Sequence, residues 1–577
     1  MNLFDKIKDL LTRYAALFML GGFLISAALR LISLAHPGLS DLEAERALQA
    51  LAWANGEPIK VGGEPGYVGL TSFLFYVFGA SPFMARFWPA LLGACLALVP
   101  WLYRKHLGTL PTLVLVYLVA LNPGLVALSR SADGMMMAVT CLSAAIGFWL
   151  NRRPVIAGTL LGVAITSSPR FWPLFLSVAI AVLVLSRIRV HKDVFEDEVT
   201  LSPTTDQWVK AGLSALICLV LVSTLFFSHP NGISGVGSGV ATYFSSWGQG
   251  GAVSRLNLLL ILLAAELPLL GFGIWGLVDG LKHKQNLTRL LGIWYLSGLI
   301  LHLVNPSADV WSLVLINLPL FPLTAIKLTD LFESIKVQNK IVLLVEIAAV
   351  ISLTVFSMLN LLNLISFPEI DQILLRNRLI GVFLPLALLI AFTFLLAWGW
   401  DARSTRDGLV VGFGLILLGV LLGSAWKAAG WGKQAQNEFY ANQPFITGDI
   451  AMLETVSDLS RWNTGVDNSI DISLSGLDST SMRWALRDYE KVMETSVFPS
   501  EGAASIVVST AESQMQSLAA YRGQLVVWAV EPEFALIKWT DWLKWGFTRS
   551  IPQKRNYVML WARNDLFKGA PAEITSP

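Results

Sequence analysis

A chain of 577 residues with 54% hydrophobic and only 14% charged residues carries more apolar surface than one soluble core can bury. That composition excludes an ordinary soluble globule and points to a protein that crosses a membrane many times. A formal net charge of +2, with no basic cluster interleaved by aromatics, excludes electrostatically driven nucleic-acid binding.

The chain opens with Lys6, Lys8 and Arg13 ahead of an apolar run over residues 14–35. That run exceeds the roughly 7 to 15 residues of a secretory signal core and matches a span of about 20, so it reads as a retained helix. The next stretch, "HPGLSDLEAERALQALAWANGEP", brings in Asp41, Glu43 and Glu45. Ser40 and Glu43 have the spacing of a capping box, and Ala44, Ala47, Leu48 and Leu51 recur at helical spacing. An amphipathic helix lying on the outer surface is expected, in an outer loop over residues 36–82. Asp41 and Glu43 could simply stabilise the start of that helix.

Further apolar segments lie near residues 83–103, 109–127, 134–150, 154–168, 171–186, 209–228, 257–279, 290–304, 310–326, 341–363, 379–400 and 408–428. With the first they make about thirteen transmembrane helices. Segment 154–168 is short, and is expected to pair with its successor as a shallow hairpin. Cations including Arg104, Lys105, Arg152, Arg153, Arg187, Arg189, Lys192, Lys282, Lys284, Lys336, Arg403 and Arg406 gather in alternate loops, which places the N-terminus in the cytoplasm of a multi-pass cell-membrane protein. The membrane domain then covers residues 1–429, and an odd number of crossings puts residues 430–577 outside.

That last segment gains charge and loses the long apolar runs. Runs "IDISL", "ASIVVST" and "GQLVVWAV" read as strands and residues 447–462 and 511–520 as helices, the pattern of an extracytoplasmic α/β domain. "WTDWLKWGF" is aromatic enough either to lie on the membrane surface or to pack as a helix. Cys95, Cys141 and Cys218 all fall in apolar runs and read as packing residues. Inside the membrane Glu266, Glu346 and His302 stand out, because ionisable groups there face the bundle interior, a water-filled path or a neighbouring helix. The acids gather in outer loops and no internal repeat is visible, which argues against a transporter.

The order of an acidic outer helix, the Pro-Gly-Tyr entry at residues 65–67, "FGAS…ARFWPALLG" and "SRSADG" resembles the GT-C membrane glycosyltransferases, in the family 39 branch that includes protein O-mannosyltransferases and lipid A aminoarabinose transferases. The resemblance implies a many-helix fold that takes a sugar from a polyprenyl-phosphate carrier and passes it to a protein, lipid or glycan acceptor. In that family the Asp of an Asp-Glu-Ala sequence in the first outer loop contacts the acceptor. Here the triplet is Leu42-Glu43-Ala44, with Asp41 one residue early, so Asp41 is assigned as general base with Glu43 as its alternate. Asp133 matches the second outer acid of the pattern and also sits where a helix cap would. The leaving phosphate wants cations, for which Arg130, Arg170 and Arg255 are candidates, although the first two could equally anchor the interface. Tyr67 is a candidate substrate contact. Glu64 and His229 could share a divalent metal ion, as hard and borderline ligands. A non-catalytic scaffold or flippase partner of the same fold is the alternative, and would account for the shifted acid.

Overall fold

The computed structural model describes residues 3–188, 204–251, 253–336, 338–367, 371–431, 440, 443–496, 504–512, 520–548 and 551–567. Helix α1 (Leu3–Arg13) meets α2 (Ala15–Leu31) at a 77° bend, so the expected first span is α2 with an amphipathic helix lying across its start. Residues 36–82 form α3 (Asp41–Ala54) and α4 (Pro65–Phe78), the latter starting on a proline whose missing amide costs nothing at a first helical position. Helix α5 (Pro82–Leu96) runs through a tight turn into the short α6 (Arg104–Leu107).

Helices α7 (Thr109–Leu121) and α8 (Pro123–Ser129) break by 56° at Asn122, where Pro123 has no amide to give and the Asn122 side chain caps the amide of Leu125. Then follow α9 (Met135–Leu150), α10 (Pro154–Ser167), α11 (Phe171–Ile188) and α12 (Thr205–Ser223). The expected hairpin between segments 154–168 and 171–186 does not form. Helix α10 packs between α9 and α12 instead, because Gly158 and Gly162 leave a groove against which the carbonyls of Ala211 and Ala215 rest. Close approach of small residues is what holds helices together where lipid competes with every apolar contact.

The second half supplies α13 (Gly232–Ser246), α14 (Arg255–Lys282), α15 (Asn286–Val304), α16 (Val310–Asn317), α17 (Leu320–Glu333), α18 (Lys340–Ser366), α19 (Gln372–Leu396) and α20 (Ala402–Ala428). Helix α13 was not expected. Among the described residues six helical segments are long and apolar enough to cross a membrane, or nine if each bent pair is one span, which makes this a membrane protein. The longest, Gln372–Ala428, folds back on itself at residues 397–401, since Thr393 before the turn and Gly408 after it both meet Glu346 of α18. Arg189 and Lys192, two of the cations used for orientation, lie outside the described residues.

The intramembrane carboxylates join helices. Glu346 accepts from Thr393 at 2.6 Å, tying α18 to α19. Glu266 sits at a kink in α14 two residues before Pro268, and accepts from Asn122 at 2.9 and 3.1 Å and from the hydroxyl of Tyr440. Tyr440 in turn accepts the indole N–H of Trp311 on its carbonyl. The segment leading out of the membrane is thereby hooked onto three broken helices.

Beyond it lies a six-stranded mixed sheet of order β1-β5-β6-β4-β2-β3. Its elements are β1 (Phe445–Ile446), α21 (Asp449–Thr464), β2 (Ile472–Ser475), α22 (Thr480–Ala485), β3 (Val492–Thr495), β4 (Ile506–Thr510), β5 (Tyr521–Pro532), α23 (Trp539–Thr548) and β6 (Gln553–Arg563). The three sequence runs expected as strands are β2, β4 and β5. The expected helix at 511–520 falls mostly outside the described residues. Of the two readings of "WTDWLKWGF", packing holds, because Trp545 is fully buried in the main core. The α10–α12 groove gives a direct test. Gly162→Ala puts a methyl 2.6 Å from the Ala215 carbonyl, whereas Gly212→Ala has open space. The first should lower the melting temperature of the detergent-solubilised protein by several degrees, and the second should leave it unchanged or raise it, by about 1 kcal/mol at most, through helix propensity.

Candidate functional site

One carboxylate organises the end of the bundle at which α3 starts. Glu43 closes the capping box by accepting the Ser40 amide at 3.0 Å, and the same side chain accepts two N–H groups of Arg86 at 2.8 and 3.0 Å and the amide of Ala132 at 2.7 Å. Arg86 spends its remaining donors on the carbonyls of Leu34, Pro37 and Gly38. Both side chains are less than a tenth exposed. Burial pushes the Glu43 carboxyl up, but Arg86 and the two amides outweigh it and hold the group below its ordinary value. The exit of α2, the start of α3, helix α5 and the 130–134 loop therefore meet at one point.

A second pair lies one turn along α3. Arg46 grips Glu64 through two N–H groups, at 2.9 and 3.0 Å, and Glu64 also accepts the amide of Gly134 at 3.1 Å. Gly134 must be glycine, since a Cβ there would collide with the carbonyl of Ser167. These contacts press the loop carrying Asp133 between α3 and the end of α10.

Asp133 is fully buried. Its Oδ1 accepts the Met135 amide at 2.9 Å, while Oδ2 has no hydrogen-bond partner among the described residues and sits 3.9 Å from Nη1 of Arg170. Burial first, and then the charge of Glu64, push its carboxyl up to about 7 against the pull of Arg46 and Arg170. The other hand of Arg170 holds Asp309, which caps α16 through Ser312. Burial raises Asp309 too, but Arg170 and Ser312 more than offset this and keep it low. Two carboxylates share one guanidinium and are pushed in opposite directions, which is how a site separates a proton acceptor from a fixed anion. Arg46, Glu64, Arg170 and Asp309 are the charged residues lining a cavity of about 250 Å³ that runs between α11, α13, α15 and α16.

The other residues singled out in the sequence do different work. Asp41 accepts from the hydroxyl of Ser479 at 2.9 Å and the amide of Ser481 at 2.7 Å, so it joins the first turn of α3 to that of α22 and docks the sheet domain. Trp484 of α22 packs beside Phe75, and Arg487 lies over its ring. Arg130 donates to the carbonyls of Leu29, Arg30, Ile32 and Ser33 and so caps the end of α2. The hydroxyl of Tyr67 is spent on the carbonyl of Ala85 at 2.8 Å. Arg255 is exposed at the start of α14 and does not line the cavity. His229 stacks on Trp53 with ring centroids 4.6 Å apart, while Glu64 is taken by Arg46. Among the described residues no group of three or more His, Cys, Asp or Glu side chains could hold a metal, and the expected ligands Glu64 and His229 are engaged by Arg46 and Trp53 instead.

Arg46, Arg86 and Asp309 were not anticipated. A signal existed for Arg86, since an arginine inside an apolar helix has to find an anion, but its partner lies far off in sequence and nothing local names it. Breaking one half of a buried pair leaves an uncompensated charge and costs about 3 to 5 kcal/mol. Arg86→Met should therefore sharply lower the melting temperature, and the double variant Arg86→Met with Glu43→Gln should recover part of the loss. A double variant no better than the single one would show the pair to be uncoupled.

No family model and no curated protein matches the chain. Among solved structures, the crystal structure of ArnT from Cupriavidus metallidurans bound to undecaprenyl phosphate aligns with a TM-score of 0.52 at 12% identity, covering 97% of this chain and 99% of that one. The apo crystal structure of ArnT from the same organism aligns with a TM-score of 0.53 at 13% identity over 87% and 93% of the two chains. At that identity the likeness is one of fold, and it extends over nearly the whole of both chains, membrane helices and sheet together.

Proposed function

We propose that the protein is a membrane glycosyltransferase that moves a sugar from a polyprenyl-phosphate carrier to an acceptor hydroxyl on the extracytoplasmic face. The observation that carries this reading is the arrangement at Arg170: a guanidinium at a cavity wall, flanked by a carboxyl of raised pKa with an unsatisfied oxygen, in a chain whose fold matches a protein crystallised with undecaprenyl phosphate. The proposal includes about thirteen crossings, counting the doubled run as two and α9, α10 and α11 as short crossings. It also includes a cytoplasmic N-terminus and an extracytoplasmic sheet domain, after the positive-inside bias.

In the proposed reaction the acceptor oxygen attacks the anomeric carbon, the bond from that carbon to the phosphate oxygen breaks, and polyprenyl phosphate leaves with the bonding electrons. The acceptor proton passes to Oδ2 of Asp133. Arg170 takes the charge that grows on the leaving phosphate, a bidentate task for which a guanidinium is suited and an ammonium less so. Assigning the base to Asp133 moves it from Asp41 and Glu43. Glu43 is a poor proton acceptor when it already holds Arg86 and two amides and titrates low, and Asp41 is engaged with α22. Arg130 and Arg255, the other phosphate candidates, are at a helix end and on an exposed surface respectively, so Arg170 is preferred.

Release of polyprenyl phosphate from polyprenyl-phosphate sugars by purified protein tests the reading. A base must be ionised to act, and a carboxyl raised to about 7 loses its proton only as pH climbs through that value, so kcat/KM should rise through about pH 7 and level off above it. Asp133→Asn should lower turnover by about 10² or more and remove that limb. Arg170→Ala should weaken donor binding and turnover together, and Arg170→Lys should restore only part. A Asp133→Asn variant turning over at the wild-type rate would return the base to Asp41 or Glu43. Absence of release by the folded wild type would favour the non-catalytic scaffold.

A further inference from the structure

The cavity lining is of two kinds. The part already described carries Arg46, Glu64, Arg170 and Asp309. The rest of the wall, from α11, α13, α15 and the first turn of α16, carries no Lys, Arg, Asp or Glu and mixes hydroxyl and amide side chains with leucines. Most of its polar groups are already engaged. Ser177 donates to Leu174 and accepts from Trp294, Ser246 donates to Tyr243, and Asn305 accepts from Ser307. His302 is the exception. It lines the cavity from the last turn of α15, is 8% exposed, and its Nε2 has no hydrogen-bond partner among the described residues.

A buried imidazole nitrogen without a partner costs stability, and the open space beside it is where a ligand group would supply that partner. The ligand at this wall is constrained by what the wall lacks. The charge that acts on His302 is Asp309, which Arg170 already holds, so an ionised group would find its counterion taken, and a lipid tail would leave Nε2 unsatisfied. At about 250 Å³ the cavity is also smaller than the roughly 300 to 1,000 Å³ of sites that bury a whole drug-sized ligand, which suits a single ring and not a carrier chain.

We propose that His302 is a specificity-determining contact that hydrogen-bonds a hydroxyl of an uncharged sugar seated against this wall, with the phosphate of the same donor toward Arg170. This rests on the glycosyltransferase reading and deepens it by naming the sugar class, a neutral monosaccharide. His302 takes no part in the proton transfer assigned to Asp133.

The test measures affinity of the full-length protein in detergent for undecaprenyl phosphate alone, for undecaprenyl-phosphate-linked neutral hexoses and for a charged counterpart bearing an amino or carboxyl group. His302→Leu keeps the apolar bulk and removes the hydrogen bond, and His302→Gln places an amide nitrogen close to Nε2. The wild type should prefer at least one neutral-sugar donor over both the bare carrier and the charged donor. His302→Leu should lose about threefold to tenfold on that donor and nothing on the bare carrier, the size expected of one neutral hydrogen bond, while His302→Gln should keep most of the affinity. Unchanged binding of the neutral-sugar donor by His302→Leu, an equal loss on the bare carrier, or a wild-type preference for the charged sugar would overturn the assignment of His302 while leaving the glycosyltransferase reading intact. If the folded wild type binds neither carrier nor donor, that reading fails and this one with it.

Discussion

A carboxylate buried at the end of a membrane bundle has to be matched, and one end of this protein is built around matching one. Glu43 receives the guanidinium of Arg86, the amide of Ala132 and the amide of Ser40, and each donor belongs to a different part of the chain. Ionic groups this far from water are held in place by the cost of leaving any of them alone. The consequence reaches beyond the pair. Fixing Ala132 fixes Asp133 beside it, and fixing the first turn of α3 fixes Arg46 one turn on, which grips Glu64 and the amide of Gly134. The acidic loop is thus held from both sides, with Asp133 behind Arg170 of the cavity wall.

Three acids in this region show how environment divides labour among identical functional groups. Glu43 is saturated with donors and titrates low, and Asp309 is kept low by Arg170 and Ser312. Asp133, deepest and beside another carboxylate, is pushed up to about 7. Only the third has the combination of an unsatisfied oxygen and a pKa near neutrality that proton transfer requires. Asp41 adds a coupling at a distance, because its carboxylate sits at the first turn of both α3 and α22, so the sheet domain and the acidic helix are positioned together. Glu266 and Tyr440 make a second such link within the membrane.

Much of this architecture was legible in the sequence. Apolar runs located the membrane helices, the capping spacing of Ser40 and Glu43 located α3, and alternating runs located β2, β4 and β5. The intramembrane acids Glu266 and Glu346 were recognisable as bridges between helices, and Asp133 and Arg170 were both picked out on chemical grounds. What sequence could not supply was pairing. Arg86 lies in "ARFWPALLG" and reads as one polar interruption of an apolar helix until its anion, 43 positions earlier, is placed beside it. Asp309 reads as a helix cap, which it is, and its second role facing Arg170 depends on a contact across 139 positions. The misplaced hairpin has the same origin, since the choice of α12 over α11 as partner for α10 turns on where Gly158 and Gly162 meet another backbone. Asp41, Arg130 and Tyr67 were picked out by residue type, and the partners they hold in the fold, the first turn of α22, the end of α2 and the carbonyl of Ala85, are ones the local sequence does not name.

The central claim is that the phosphate of a polyprenyl carrier is held at Arg170, at the wall of the cavity, with Asp133 buried behind it. A structure of the protein in lipid nanodiscs loaded with undecaprenyl phosphate tests it most directly. The account predicts a phosphate oxygen within hydrogen-bond distance of the Arg170 guanidinium, about 3 Å, with the prenyl chain leaving the cavity toward lipid. Phosphate density at Arg130 or at Arg255, with Arg170 still closed on Asp309 and Asp133, would contradict it.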